Sequence, residues 1–225
     1  MNSQTAILIF TRTGKEEARA KHFHDTAGHS GNRAIAQRLI EQAVNTANQS
    51  GMPVFTCYST EQRGHSFGER LANAMETVYA RGFEHVIAIG NDCPSLTPEL
   101  LVETRNRLER NESVLGPSTD GGVYLIGLSK NNYQRSGFIE LPWESAQLQN
   151  AWTSYTEALT WLEQHGDIDH ATDLQAFLHL FPFWDQLHRL LVSIIASFNQ
   201  QLSFHITRAY LPIHTRTRHL RGPPR

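Results

Sequence analysis

HVIAIGNDCPSLTPEL, residues 85–100, decides the fold. Val86-Ile87-Ala88-Ile89 is a short apolar run rich in β-branched side chains, the pattern of a strand buried on both faces. Thr97-Pro98-Glu99 reads as a helix start, with threonine as N-cap, proline at the first helical position and an acid in the first turn. Asn91-Asp92-Cys93-Pro94 lies between them and is polar and turn-forming. A loop that leaves a buried strand and enters a helix sits at the carboxyl edge of an open α/β sheet, where ligands bind. Asp92 is therefore the leading candidate for a functional carboxylate. The plainer reading is that it only bends the loop ahead of Pro94.

On either side of this stretch the chain alternates strands and helices. Thr5 to Phe10 (TAILIF) reads as a first buried strand, and Asn32 to Asn48 carries Ile35, Leu39, Ala43, Val44 and Ala47 at helical spacing. Val54 to Tyr58 is a second strand. Ser66 and Glu69 have capping-box spacing at the head of a helix whose Leu71, Met75, Val78 and Tyr79 share one side, and which Gly82 ends. After a helix from Pro98 to about Arg110, Ser113–Pro117 and Val123–Leu128 read as two strands joined by a tight turn, Ser118-Thr119-Asp120-Gly121-Gly122. The two glycines beside Asp120 also let a backbone approach a ligand closely. This order predicts a three-layer α/β/α domain with a mostly parallel, mixed sheet.

Beyond Pro142-Trp143, the stretch from Glu144 to about Gln164 reads as one long helix. Asp167-Ile168-Asp169 precedes a second capping-box spacing, Thr172 to Gln175, and its two carboxylates project the same way if the segment is extended. Phe183 to about Leu202 has an apolar stripe, Trp184, Leu187, Leu191, Ile194 and Phe198, widened by Leu190 and Ile195. That face is expected to cover the domain itself, or failing that a second copy in a homodimer, or a membrane surface. The expected division is one domain over 1–180 and an amphipathic helix with a basic tail over 181–225.

The chain has 225 residues and a formal charge of −2, which argues against a general nucleic-acid binder. Five arginines and no acid lie between Ile206 and Arg225, an end expected to be solvated or laid on its own domain. Cys57 and Cys93 make no disulfide framework. The opening apolar run is too short for a signal peptide, and no apolar run approaches membrane-spanning length, so a cytoplasmic protein is expected. Thr11 to Lys21 is basic but matches neither a P-loop nor a dinucleotide fingerprint. Arg12, Lys15, Arg19 and Lys21 could meet phosphates, yet the interleaved Glu16 and Glu17 make a solvated helix face the preferred reading of the residues alone.

In order, AILIFTR, QRGHSFGERLANAMETVYARGFEHVIAIGNDCPSLTPELL, VLGPSTDGGVYLIGL, LPW and DIDHATDL resemble uncharacterised bacterial glycosyltransferase-like proteins of GT-A fold. These form a branch of the nucleotide-diphospho-sugar transferase superfamily, and the resemblance covers roughly residues 5–178. It implies a divalent cation, Mg²⁺ or Mn²⁺, on a nucleotide diphosphate. Asp92 matches the acid after the central strand, as a single Asp instead of Asp-x-Asp, and Asp169 matches a late acid that completes the metal site in related nucleotidyltransferases. Arg12, Lys15 and Lys21 lie where the superfamily places phosphate-contacting bases, though the usual proline-glycine-lysine-threonine-arginine pattern is absent. Glu69, Arg70, Gly121 and Gly122 complete the implied nucleotide- and phosphate-binding set. Asp120 is the implied catalytic carboxylate and Trp143 the implied acceptor contact.

Such a cation prefers carboxylate and phosphate oxygens and would neutralise a departing diphosphate, while Asp120 orients or deprotonates an acceptor hydroxyl. Three functions follow as expectations. The first is transfer of a sugar from a nucleotide-diphosphate sugar to a small-molecule or glycan acceptor. The second is nucleotidyl transfer with release of pyrophosphate. The third is a non-catalytic nucleotide-binding or assembly module.

Overall fold

The computed structural model describes residues 4–21, 23, 28–170, 173, 189 and 192. β1 (Thr5–Thr11) shows why the strands read as unbroken apolar runs. Ala6 and Leu8 enter one core and Ile7 and Ile9 the other, so both sides of the pleat are buried. β2 (Val54–Tyr58) and β3 (His85–Ile89) flank β1 in parallel. β5 (Val123–Ser129) pairs antiparallel with both β3 and β4 (Ser113–Pro117), and β6 (Leu159–Trp161) adds a parallel edge to β4. The six-stranded order is β2-β1-β3-β5-β4-β6.

Helices cover both faces. α3 (Phe67–Tyr79) supplies Leu71, Met75 and Val78 to one core, where α5 (Arg135–Glu140) and α6 (Leu148–Tyr155) add Phe138 and Trp152. α2 (Gly28–Gln49) and α4 (Pro98–Leu108) cover the other face, with Ala47, Leu101 and Leu108 against Ile87 and Leu125. The starts of α3 and α4 are as the sequence predicts. Ser66 accepts from Glu69 N in a complete capping box, and Thr97 accepts from Leu100 N ahead of Pro98. The architecture is the mixed, three-layer α/β/α sandwich expected.

One expectation fails and another holds only in part. The single helix over 144–164 is instead α6, a break, and the short strand β6. Edge pairing of Leu159 with Ser113 and of Trp161 with Leu115 overrides the local helical pattern. Thr11 to Lys21 is a solvated face only in part: Lys15 and Arg19 are exposed, as that reading expects, while Glu17 turns inward. It contains α1 (Gly14–Ala20), capped by a Thr13–Glu16 capping box, and Glu17 on it is buried. The helices expected after Thr172 and over Phe183–Leu202, the homodimer contact and the basic tail lie outside the described residues. Among the described residues no helix is long and apolar enough to cross a membrane.

Candidate functional site

The strand directions converge on one edge. Ile9 lies beside Ile89 and Ile89 beside Leu125, so β1 and β3 end level with the start of the reversed β5. There a cleft of about 470 Å³ opens, within the size range of small-molecule sites. It has two unlike ends. Phe10, Phe67 and Trp143 wall one end, with the Phe67 ring tilted against Trp143 at 5.3 Å and edge-to-face with Phe10 at 5.7 Å. Arg12, Glu17, Lys21, Asn91, Asp92, Asp167 and Asp169 crowd the other.

Lys21 is the hub of the polar end. It is the C-cap of α1, where its backbone N–H donates to Glu17 O at 2.8 Å. Its ammonium reaches Asp92 Oδ2 and Asp169 Oδ1, each at 2.8 Å. The carbonyl of Ile168 at 3.2 Å and Glu17 Oε1 at 3.4 Å complete the surroundings. Burial of the amine opposes its charge, but Asp92 and Glu17 outweigh that penalty, helped by hydrogen bonds to Asp169 and Asp92, and its pKa is raised. Glu17 also pairs with Arg12 at 3.4 Å.

Asp92 has room to fold back because residue 90 is glycine; a Cβ there would stand 2.7 Å from Asp92 Oδ1. Its backbone oxygen accepts from Ile168 N at 2.9 Å, which docks the last described segment against the end of β3. Ile168 is fully buried, and Asp167 and Asp169 on either side both line the cleft, as their two-residue spacing predicts. Burial pushes Asp167 up to about 7, with the negative charge of Asp92 adding to the shift and a hydrogen bond with Ser118 opposing it. Asn91 accepts from Thr11 Oγ1 at 2.8 Å, but its buried Nδ2 has no partner among the described residues. A buried donor without an acceptor is costly, and a ligand oxygen would relieve it.

The other candidates separate. Asp120 lines the cleft, but Gly122 N donates to its Oδ1 at 2.8 Å and Gly121 N donates to Ser118 O at 3.3 Å. Both glycine N–H groups are thus spent inside the turn, and Gly121, at φ 96°, is there for its backbone conformation. Trp143 lines the cleft, while its Nε1 donates to Phe138 O at 2.8 Å. Arg70 lines the cleft and pairs with no carboxylate among the described residues. Lys15, Glu69 and Gly121 are not among the lining residues. Glu69 is committed to the α3 cap, where it accepts from His65 N at 2.6 Å, and hydrogen bonds from His65 and Ser66 lower its pKa. Cys93 is a thiol pushed up to about 12 by burial, with no nucleophilic character.

One oxygen of Asp92 and one of Asp169, where the implied divalent cation would sit, are taken by Lys21 and do not fit such an ion as they stand. Both point at the same ammonium, and among the described residues no group of three or more His, Cys, Asp or Glu is placed to hold a metal. Glu17, Asn91 and Asp167 belong to the cleft but were not among the sequence candidates. The Thr13–Glu16 spacing signals the helix that places Glu17, and the Asp167–Asp169 spacing signals the shared side. No sequence pattern signals the unpartnered Asn91 amide.

The DUF2064 family, described as an uncharacterized protein conserved in bacteria, matches residues 29–145. The chain belongs to this family. The DUF2064 match carries Asp92, Asp120 and Trp143, whereas Arg12, Lys21, Asp167 and Asp169 lie outside it. A protein of Desulfovibrio desulfuricans G20 named as a presumptive nucleotide-diphospho-sugar transferase superposes with a TM-score of 0.75 at 21% identity, over 88% of this chain and 98% of its own. Rv0371c of Mycobacterium tuberculosis H37Rv superposes with a TM-score of 0.50 at 14% identity, over 80% of this chain and 99% of its own. No curated protein matches the sequence. The fold is that of the nucleotide-diphospho-sugar transferases.

Proposed function

We propose that this DUF2064 member is a transferase that takes a sugar from a nucleotide-diphosphate donor. The observation that carries the reading is the two-ended cleft at the carboxyl edge of the sheet. Arg12, Lys21 and Arg70 bring positive charge to it, and Asp120 and Trp143 also line it. In this arrangement the bond between the sugar's anomeric carbon and the diphosphate oxygen breaks as the acceptor oxygen bonds to that carbon. Arg12 and Arg70 would stabilise the charge that develops on the departing diphosphate. Asp120, whose Oδ2 is not held by the turn's Gly122 N–H, would take the acceptor proton. The Asn91 amide offers a further donor to a ligand oxygen.

The test is a thermal-melt panel of nucleoside diphosphates, triphosphates and nucleotide sugars, with Mg²⁺, with Mn²⁺ and with chelator, on the full chain and on Arg70→Ala. A ligand at about a hundred times its Kd stabilises the folded state by roughly 2.7 kcal/mol, which such a panel detects. A shift with nucleotide sugars that weakens in Arg70→Ala supports the reading, and no shift with any nucleotide overturns it. Nucleotidyl transfer is the second reading, favoured by the meeting of Asp92 with the late Asp169 across Lys21. Release of pyrophosphate from a triphosphate would select it.

A further inference from the structure

The ammonium of Lys21 stands where two carboxylates from distant parts of the chain converge. Asp92 Oδ2 and Asp169 Oδ1 lie at 2.8 Å, Ile168 O at 3.2 Å and Glu17 Oε1 at 3.4 Å. Four oxygens around one nitrogen satisfy all three N–H donors of a lysine and leave none for solvent. The side chain is 12% exposed, and its backbone is fixed as the C-cap of α1, so the charge is delivered from a rigid element. A divalent ion between the same two oxygens needs them about 2.0–2.2 Å away, with further oxygens and waters around it, in the volume Nζ now fills. It would also have to sit beside a positive charge in a partly buried place, where like charges repel strongly.

We infer that Lys21 is the resident cation of this cleft, holding Asp92 and Asp169 together in place of a divalent metal ion, so that ligands enter the cleft without one. The raised pKa of Lys21 keeps the ammonium charged throughout the neutral range. Arg12, paired with Glu17, supplies a second positive charge to the same end. The statement about ligands rests on the transferase reading above; the statement about the cation does not.

The experiment is direct Mn²⁺ binding to the full chain, by calorimetry and by the electron paramagnetic resonance of free Mn²⁺, on the unaltered protein, Lys21→Met and Lys21→Met/Asp92→Asn. The expected result is no binding to the unaltered protein, and a site in Lys21→Met at least about ten-fold tighter, lost again in the double variant. Thermal melts run alongside. Mn²⁺ should raise the Tm of Lys21→Met and leave the unaltered protein unmoved, so even a poorly folded variant reports through its rescue by metal. Equal Mn²⁺ affinity in the unaltered protein and Lys21→Met overturns the inference, because the lysine would then yield its place freely. Mn²⁺ binding to neither overturns it as well, because the carboxylates would then be a plain ion-pair anchor. In the second arm, the affinity of a nucleoside diphosphate is measured in chelator and in Mn²⁺. Agreement within about two-fold supports the inference, and binding only with Mn²⁺ overturns it. If no nucleotide binds in either condition, the transferase reading falls while the Mn²⁺ comparison still decides the role of Lys21.

Discussion

Asp92 and Asp120 both follow strands of one sheet and both line the cleft, and each accepts a hydrogen bond of 2.8 Å. The partner of Asp120 is the backbone of Gly122, two residues on; the partner of Asp92 is the ammonium of Lys21, 71 residues away. The first bond is the ordinary chemistry of an Asx turn and would form in any such hairpin. The second exists only because the whole sheet has folded. A carboxylate with a local partner is explained by its own loop, and one with a distant charged partner calls for a reason that the loop does not contain.

The largest effect is expected where the distant charge is removed. Lys21→Met strands Asp92, Asp169 and the buried Glu17 without their common cation and should cost about 3 kcal/mol of stability, read from urea midpoints at unchanged slope. A loss below about 1 kcal/mol would erase the contrast with Asp120. Asp92→Asn keeps shape and an acceptor but loses charge, and Asp169 and Glu17 still hold the ammonium. A loss of about 1–2 kcal/mol is expected in the same assay.

Asp120→Ala removes one exposed turn hydrogen bond and should cost less than about 1 kcal/mol. Turnover, measured with whichever nucleotide sugar shifts the melt, should nevertheless fall by about 10²–10⁴-fold if Asp120 is the general base proposed above. Unchanged turnover would reduce Asp120 to a turn residue. The smallest effect is a slope. Asp167 binds its proton more tightly in the folded protein, near pH 7, than its ordinary value of 3.8, so its contribution is greatest at low pH and declines as the pH rises from about 4 to about 7. Stability measured across that range should lose this decline in Asp167→Asn.

Those contrasts follow what the sequence makes legible. Strands β2 and β4 have the ends their apolar runs predict, and α3 and α4 start at the caps that Ser66 and Thr97 announce, because these signals are local. Asp92 was legible for the same reason, since the end of a buried strand and the start of a helix bracket it. The split of 144–164 into α6 and β6 was not, because pairing with β4 decides it across the sheet. Lys21 reads in sequence as one base among several, and Asp169 as one acid of a pair. Only the return of the chain over 147 residues, where Lys21 Nζ meets Ile168 O, shows that they share a charge.

That return also orders events in time. When a ribosome has delivered β1 to β6, every strand of the sheet is present, yet Ile168 and Asp169 are still to come. Until they arrive, Asp92 lacks the backbone bond from Ile168 and Lys21 lacks Asp169. The polar end of the cleft is thus completed only after all six described strands have been made, and a nascent chain carries its sheet before it carries the Lys21 ion pairs.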